Sequence, residues 1–156
     1  MKNMWGKELV FPEDVYYSEE LLWVKDLGAS KFRLGICDLA VKSVKNLNFI
    51  KLSSRPGAQV TKGESLGHVE TTKGVWDIIA PLSGTVVEVN PSIAKGSANP
   101  IVAEPYGNGW MVELETAGEA GSELKTLLKG SDEKTKKWIV DKAEEIVPLS
   151  VMEEDD

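Results

Sequence analysis

The sequence predicts a mainly β domain of sandwich or barrel type, followed by a short helical segment. Between Leu22 and Gly118, short apolar and β-branched runs are broken repeatedly by Gly, Pro, Asn and Ser. Closely spaced strands with turn signals between them favour a sandwich or barrel over βαβ units. After Gly118 the apolar residues switch to helical spacing, which marks a change of element type. At 156 residues the chain is long enough for one real core, because a chain of this size buries roughly two-thirds of its unfolded surface.

The elements follow in order. The first ten or so residues read as a loosely held lead-in. Strands are expected over Leu22–Leu27, Phe32–Cys37 and Leu47–Leu52, and then over Leu66–Glu70, Val75–Ile79, Thr85–Val89, Ile101–Glu104 and Trp110–Glu115. A turn or two of helix fits Asp38–Lys45, with Asp38 as N-cap before Leu39, Ala40 and Val44. Two segments resemble one another: Val60-Thr61-Lys62-Gly63 with Leu66 and Val69-Glu70 beyond it, and Ile93-Ala94-Lys95-Gly96 with Ile101-Val102 and Glu104 beyond it. This weak repeat suggests two similar halves around a pseudo-two-fold axis, with an exposed hairpin between them. Ser122 to Gly130 has an N-cap serine, leucines at helical spacing and a terminal glycine. Ser131-Asp132-Glu133 opens a second helix with Trp138, Ile139, Ala143, Ile146 and Val147 on one stripe, and Pro148 is expected to stop it. Both helices are expected to cover an open face of the β core, and the last acidic residues form a solvated tail.

Composition excludes several classes. The formal charge is −7 with no dense basic patch, so nucleic acid is not an expected partner. No apolar run approaches the ~18 residues of a membrane span, and no secretory signal is visible at the start. One cysteine, Cys37, and one histidine, His68, leave no disulfide framework and no cysteine or histidine metal site. A lone cysteine also fits a reducing, cytoplasmic compartment, where Cys37 reads as a small buried residue. Trp110 is expected in the core and His68 on a strand or at the surface.

One residue can carry chemistry. Leu66-Gly67-His68-Val69 and Val75 to Pro81 can pair as a hairpin, which places Lys73 at its tip. A lysine beside a glycine in such a turn is ordinarily only solvated, and its amine is a poor nucleophile unless desolvated or presented to an enzyme. A single amine held out on a rigid two-stranded support is what a modifying enzyme needs. No general base or nucleophile is assembled elsewhere, so catalytic residues are not expected.

The stretch Val69-Glu70-Thr71-Thr72-Lys73-Gly74-Val75-Trp76-Asp77-Ile78-Ile79-Ala80-Pro81-Leu82-Ser83-Gly84 resembles the lipoylation segment of glycine cleavage system H proteins. Gly57, sixteen residues before Lys73, and Gly84, eleven after it, keep the glycine spacing of lipoyl and biotinyl domains. Pro105-Tyr106-Gly107-Asn108-Gly109-Trp110, Gly35-Ile36-Cys37-Asp38-Leu39-Ala40 and Phe11 to Ser18 resemble three further family motifs, so the likeness runs from about Pro12 to Leu128. It implies a flattened β-barrel of barrel-sandwich-hybrid type, with flanking short helices and a C-terminal helical segment. It divides the chain into a lead-in (1–11), a lipoyl domain (12–118), C-terminal helices (119–148) and an acidic tail (149–156).

The same resemblance implies lipoic acid joined covalently to Lys73, with Glu70 and Asp77 helping the lipoate-attaching enzyme to choose that lysine. The chain would then be a monomeric, non-catalytic carrier. It would pass an aminomethyl intermediate between glycine decarboxylase, aminomethyltransferase and dihydrolipoyl dehydrogenase. The sequence departs from the family at Leu21-Leu22 before Trp23, where His-Glu is usual, at Leu39 and near Ser43, where histidines are usual, and at Thr71-Thr72. These changes remove polar groups that would hold an amine-bearing arm. They keep open an H-like lipoate-binding protein of another pathway, such as sulfur oxidation with a heterodisulfide-reductase-like complex. An unmodified relic or a biotinyl domain is the third reading; biotinylation is expected at Met-Lys-Met, whereas Thr72-Lys73-Gly74 stands here.

Overall fold

Short apolar and β-branched runs form the strands, and antiparallel pairing joins them into two sheets. The computed structural model describes residues 9–43, 47–72, 74–118 and 120–154. The elements run β1 (Tyr16–Tyr17), β2 (Leu22–Gly28), β3 (Lys31–Ile36), α1 (Asp38–Ser43), β4 (Leu47–Leu52), β5 (Gln59–Val60), β6 (Ser65–Thr71) and β7 (Gly74–Ile79). They continue with β8 (Gly84–Val89), α2 (Asn99–Ala103), β9 (Val112–Glu115), α3 (Ala120–Leu124), β10 (Leu128–Lys129) and α4 (Glu133–Glu154). The larger sheet has the order β10-β1-β2-β3-β9-β8-β5 and the smaller one β4-β6-β7. Trp23, Leu34, Ile50, Val69, Ile78 and Leu114, drawn from both sheets, belong to a single apolar cluster. This is the mainly β architecture that the sequence predicts. Among the described residues no helix is long and apolar enough to cross a membrane.

Several elements differ from expectation. Ile101–Glu104, read as a strand, is replaced by helix α2 with Pro100 in its first turn. Proline has no N–H to give to a β ladder but suits the start of a helix, where that N–H would be unpaired. Ala98 and Ile101 are fully buried while Val102 is half exposed, and the Glu104 N–H donates to the Pro100 carbonyl at 2.9 Å.

The helix expected over Ser122 to Gly130 is only the short α3, and Ser122 lies within it. The chain then straightens so that Leu128 and Lys129 pair with Tyr17 and Tyr16. The Gly130 N–H donates to the Val15 carbonyl at 2.8 Å. Edge pairing satisfies backbone groups that a helix would otherwise have used internally.

Helix α4 does not stop at Pro148 but continues to Glu154, so residues 149–154, read as tail, are helical. A proline removes one bond from the ladder, and here that does not end the helix. Asp38, expected as an N-cap, is the first residue of α1, and Ala40 and Val41 donate to the Cys37 carbonyl instead. Residues 44–46, which include the expected end of that helix, lie outside the described residues.

The weak repeat survives only in its turns. Gly63 and Gly96 both take left-handed backbone, at φ +94° and +108°, after buried Val60 and Ile93. The strand that follows Gly63 has no counterpart after Gly96. Trp110 precedes β9 and is half buried, with the Arg33 guanidinium 4.7 Å from its ring centre.

Candidate functional site

The β6–β7 hairpin is built from residues that alternate between two faces. Across it Val69 pairs with Trp76, His68 with Asp77, Glu70 with Val75 and Thr71 with Gly74. Val69 and Ile78 are buried, whereas Glu70, Val75 and Asp77 are exposed, so one face joins the core and the other is open. The hairpin is backed by β4, whose Ile50, Lys51 and Leu52 pair with Val69, His68 and Gly67. Lys73 itself lies outside the described residues. The strands on either side of it end at Thr71 and Gly74, and the Thr71 hydroxyl donates to the Gly74 carbonyl at 3.2 Å.

The hairpin's other end is pinned from outside. Glu123 of α3 accepts the Ser83 N–H at 2.8 Å and the Ser83 hydroxyl at 2.7 Å. Ser83 Oγ in turn accepts the Lys62 N–H at 2.9 Å, and Lys62 Nζ reaches the Pro81 carbonyl at 3.1 Å. Pairing to β4 on one edge and these bonds beyond Ile79 leave the hairpin little freedom to swing. Gly57 sits at a turn and Gly84 at a close approach of two backbones. Gly57 holds φ +93°, and a Cβ on Gly84 would meet the Glu115 carbonyl oxygen at 2.8 Å.

Of the two flanking acids, Glu70 is about half exposed and sits 3.5 Å from His68 Nε2. Asp77 is the cross-strand partner of that histidine, and both acids share the open face with Val75, which is 67% exposed. The hairpin therefore brings Glu70 and Asp77 together on the strands that bracket Lys73.

Beside the hairpin lies a cleft of about 680 Å³. Val75, Trp76, Asp77 and Ile79 form one side, and Thr71 and Gly74 close the end nearest the hairpin turn. Leu21 and its neighbours Glu19 and Glu20, Ala40 and Ser43 of α1, and Lys142 and Ile146 of α4 complete it. Sequence reasoning did not place α4 here. The stripe of Ile139, Ala143 and Ile146 predicted only that the helix covers the β core, and the direction of that stripe cannot be read without the fold.

A second cluster forms around Asp38, the first residue of α1. The Asp38 carboxylate accepts from the Val10 N–H and from Lys42 Nζ, both at 2.9 Å. The Tyr106 hydroxyl accepts from the Asp38 N–H at 3.0 Å and donates to the Val10 carbonyl at 2.7 Å. Cys37 is fully buried among these groups. Burial pushes its thiol up to about 12, against a usual 9.0, so at neutral pH it is neither charged nor a nucleophile.

Residues 15–143 match the family model described as Glycine cleavage H-protein. A glycine cleavage system H protein of Mycobacterium avium (strain 104) is 40% identical over 112 residues, covering 72% of this chain and 83% of that protein. One from Carboxydothermus hydrogenoformans is 41% identical over 123 residues, covering 79% and 91% respectively. The crystal structure of a glycine cleavage system H protein from Mycobacterium marinum superposes with a TM-score of 0.60 at 36% identity, covering 71% of this chain and 97% of that one.

Proposed function

The chain belongs to the glycine cleavage H-protein family, and from that premise we propose that it is a lipoyl carrier whose arm is joined by an amide to Lys73. The observation that carries this reading is the β6–β7 hairpin. Its strands end at Thr71 and Gly74, on either side of Lys73, and open on an apolar-sided cleft. The lining suits lipoate, since Val75, Trp76, Ile79 and Leu21 present hydrocarbon to a group that is itself mostly hydrocarbon and sulfur. When attached, lipoate supplies a disulfide that can be opened, loaded with an aminomethyl group and closed again, and the chemistry belongs to the cofactor and the partner enzymes.

The chain's own residues present and tether. Pairing with β4 and the Glu123–Ser83 bonds hold the hairpin still, so a lipoate-attaching enzyme meets one amine in a fixed frame. Glu70 and Asp77 mark that frame with negative charge, which favours a basic docking face and raises the rate of encounter. Amide formation removes the lysine charge and leaves the formal −7 one unit more negative. Once tethered, the arm reaches a docked partner at an effective concentration in about the millimolar range. The partners in this reading are glycine decarboxylase, aminomethyltransferase and dihydrolipoyl dehydrogenase. The chain carries intermediates between them in the cytoplasm and performs no chemistry of its own.

Intact mass tests the attachment. Protein made in a lipoate-competent host should carry one lipoyl increment, and Lys73→Ala should lack it. Wild-type protein that stays unmodified there would overturn the reading. Incubating the lipoylated protein with glycine decarboxylase and glycine tests the pathway. An aminomethyl increment is expected, and its absence would remove the glycine assignment while leaving the carrier.

A further inference from the structure

The chain carries a formal charge of −7, yet from Lys125 to Lys142 six lysines stand against three carboxylates. Three of these lysines converge on one hollow of about 360 Å³. Each comes from a different element: Lys125 from the turn after α3, Lys129 from β10 and Lys134 from the first turn of α4. All three are exposed. Lys136 is matched by Glu13 and Glu133, and Lys142 by Glu145. Lys125, Lys129 and Lys134 form no ion pair among the described residues, and Asp132 is the one acidic residue of the lining. Like charges gathered in this way repel one another, and a lysine in the first turn of a helix also meets the positive end of its dipole. The fold gains no stability from the arrangement.

The floor of the hollow differs from its rim. Tyr16 and Leu124 are half buried and Leu127 is buried, so hydrocarbon lies beneath the ring of ammonium groups. The hollow sits at the β10 end of the larger sheet and shares no lining residue with the cleft beside β7.

We propose that this hollow docks an acidic segment of a partner protein, one with an apolar side chain set among its carboxylates. The lysines take the carboxylates, and the floor takes the apolar side chain. Three lysines around a single hollow make a point of contact, whereas a nucleic-acid backbone needs a continuous basic track. The acidic remainder of the surface repels extended polyanions and anionic membranes. A small inorganic anion would leave the apolar floor unused. Docking here does not depend on the attachment to Lys73, so unmodified protein serves for the test.

The full-length protein is titrated into a fluorescein-labelled peptide, Glu-Glu-Leu-Glu-Glu, and binding is read by fluorescence anisotropy. Affinity should fall several-fold between about 50 mM and about 300 mM salt, because the contacts are exposed ion pairs. A peptide with glutamine in place of glutamate should bind at least about tenfold more weakly, and one with serine in place of leucine several-fold more weakly. Joint reversal by Lys125→Glu, Lys129→Glu and Lys134→Glu should cost at least about tenfold. The same change of net charge made by Lys31→Glu, Arg55→Glu and Lys95→Glu, exposed positions elsewhere, should leave affinity within about twofold. In the wild type, amide shifts followed by NMR during the titration should concentrate at residues 121–134, a readout that needs no variant.

No binding of the glutamate peptide at millimolar concentration would overturn the proposal. So would an equal loss in both triple variants, a glutamine peptide that binds as well, or shifts centred outside residues 121–134. Inorganic phosphate that competes as strongly as the peptide, mole for mole, would reduce the hollow to a general anion site and overturn it too.

Discussion

At Gly67 the backbones of β4 and β6 approach so closely that no side chain fits between them. A Cβ there would fall on the Lys51 carbonyl oxygen and lie 2.8 Å from the Leu52 Cα, and φ is +148°. Gly67→Ala should therefore cost about 2–4 kcal/mol, from backbone strain and overpacking together, and a urea titration should show the loss as a lower midpoint. Single residues of this kind divide clearly by what makes them legible. Gly57 and Gly84 could be picked out because their spacing is fixed by the motif around them. The left-handed backbone of Leu21 could not, because leucine does not favour it, and only bonds from Ser18 and Cys37 on neighbouring elements impose it.

Among the elements, the Glu123 clamp offers a direct measurement. Glu123→Ala removes two hydrogen bonds from Ser83 and should cost about 1–2 kcal/mol. The loss should be read as a fall in Tm, with faster hydrogen exchange of the Ser83 amide. Strands β2, β3, β6 and β7 were predictable to within a residue or two because their apolar and β-branched runs are bounded by turn residues. Helix α2 was not, since Ile101-Val102-Ala103 is too short to separate a β-branched strand from a helical turn. The better signal was Pro100, one residue upstream. Strand β10 was hidden for another reason: its partner is Tyr16–Tyr17, more than a hundred residues away in sequence, and leucines spaced at i, i+3 and i+4 suit a helix equally well. The cleft shares that difficulty, because its walls come from the β1–β2 turn, from β7 and from a helix at the far end of the chain.

For the molecule as a whole, the buried hydroxyl and thiol groups predict an alkaline limit. Burial raises the Cys37 thiol to about 12 and pushes the Tyr17 and Tyr106 phenols above their usual 10.0. In the unfolded chain the thiol loses its proton near 9.0 and the phenols near 10.0, while the folded protein keeps all three. The native state then binds more protons, so stability must fall as pH rises. The contribution is complete below pH 9 and fades up to the folded values. Urea midpoints should decline steadily above pH 9, and Cys37→Ala should make that decline shallower without abolishing it, because the two tyrosines remain.

The same buried thiol bears on how a protein built to carry a dithiol survives its own cargo. Cys37 is the only cysteine in the sequence and is sealed from solvent, with its proton held tightly. An opened arm attached as proposed would therefore find no accessible thiol on its own scaffold with which to form a mixed disulfide. The scaffold cannot cross-link to its cargo, nor can one copy be joined to another through this residue while both stay folded. In the proposed carrier, redox traffic would be left to the arm and to whatever enzyme docks against it.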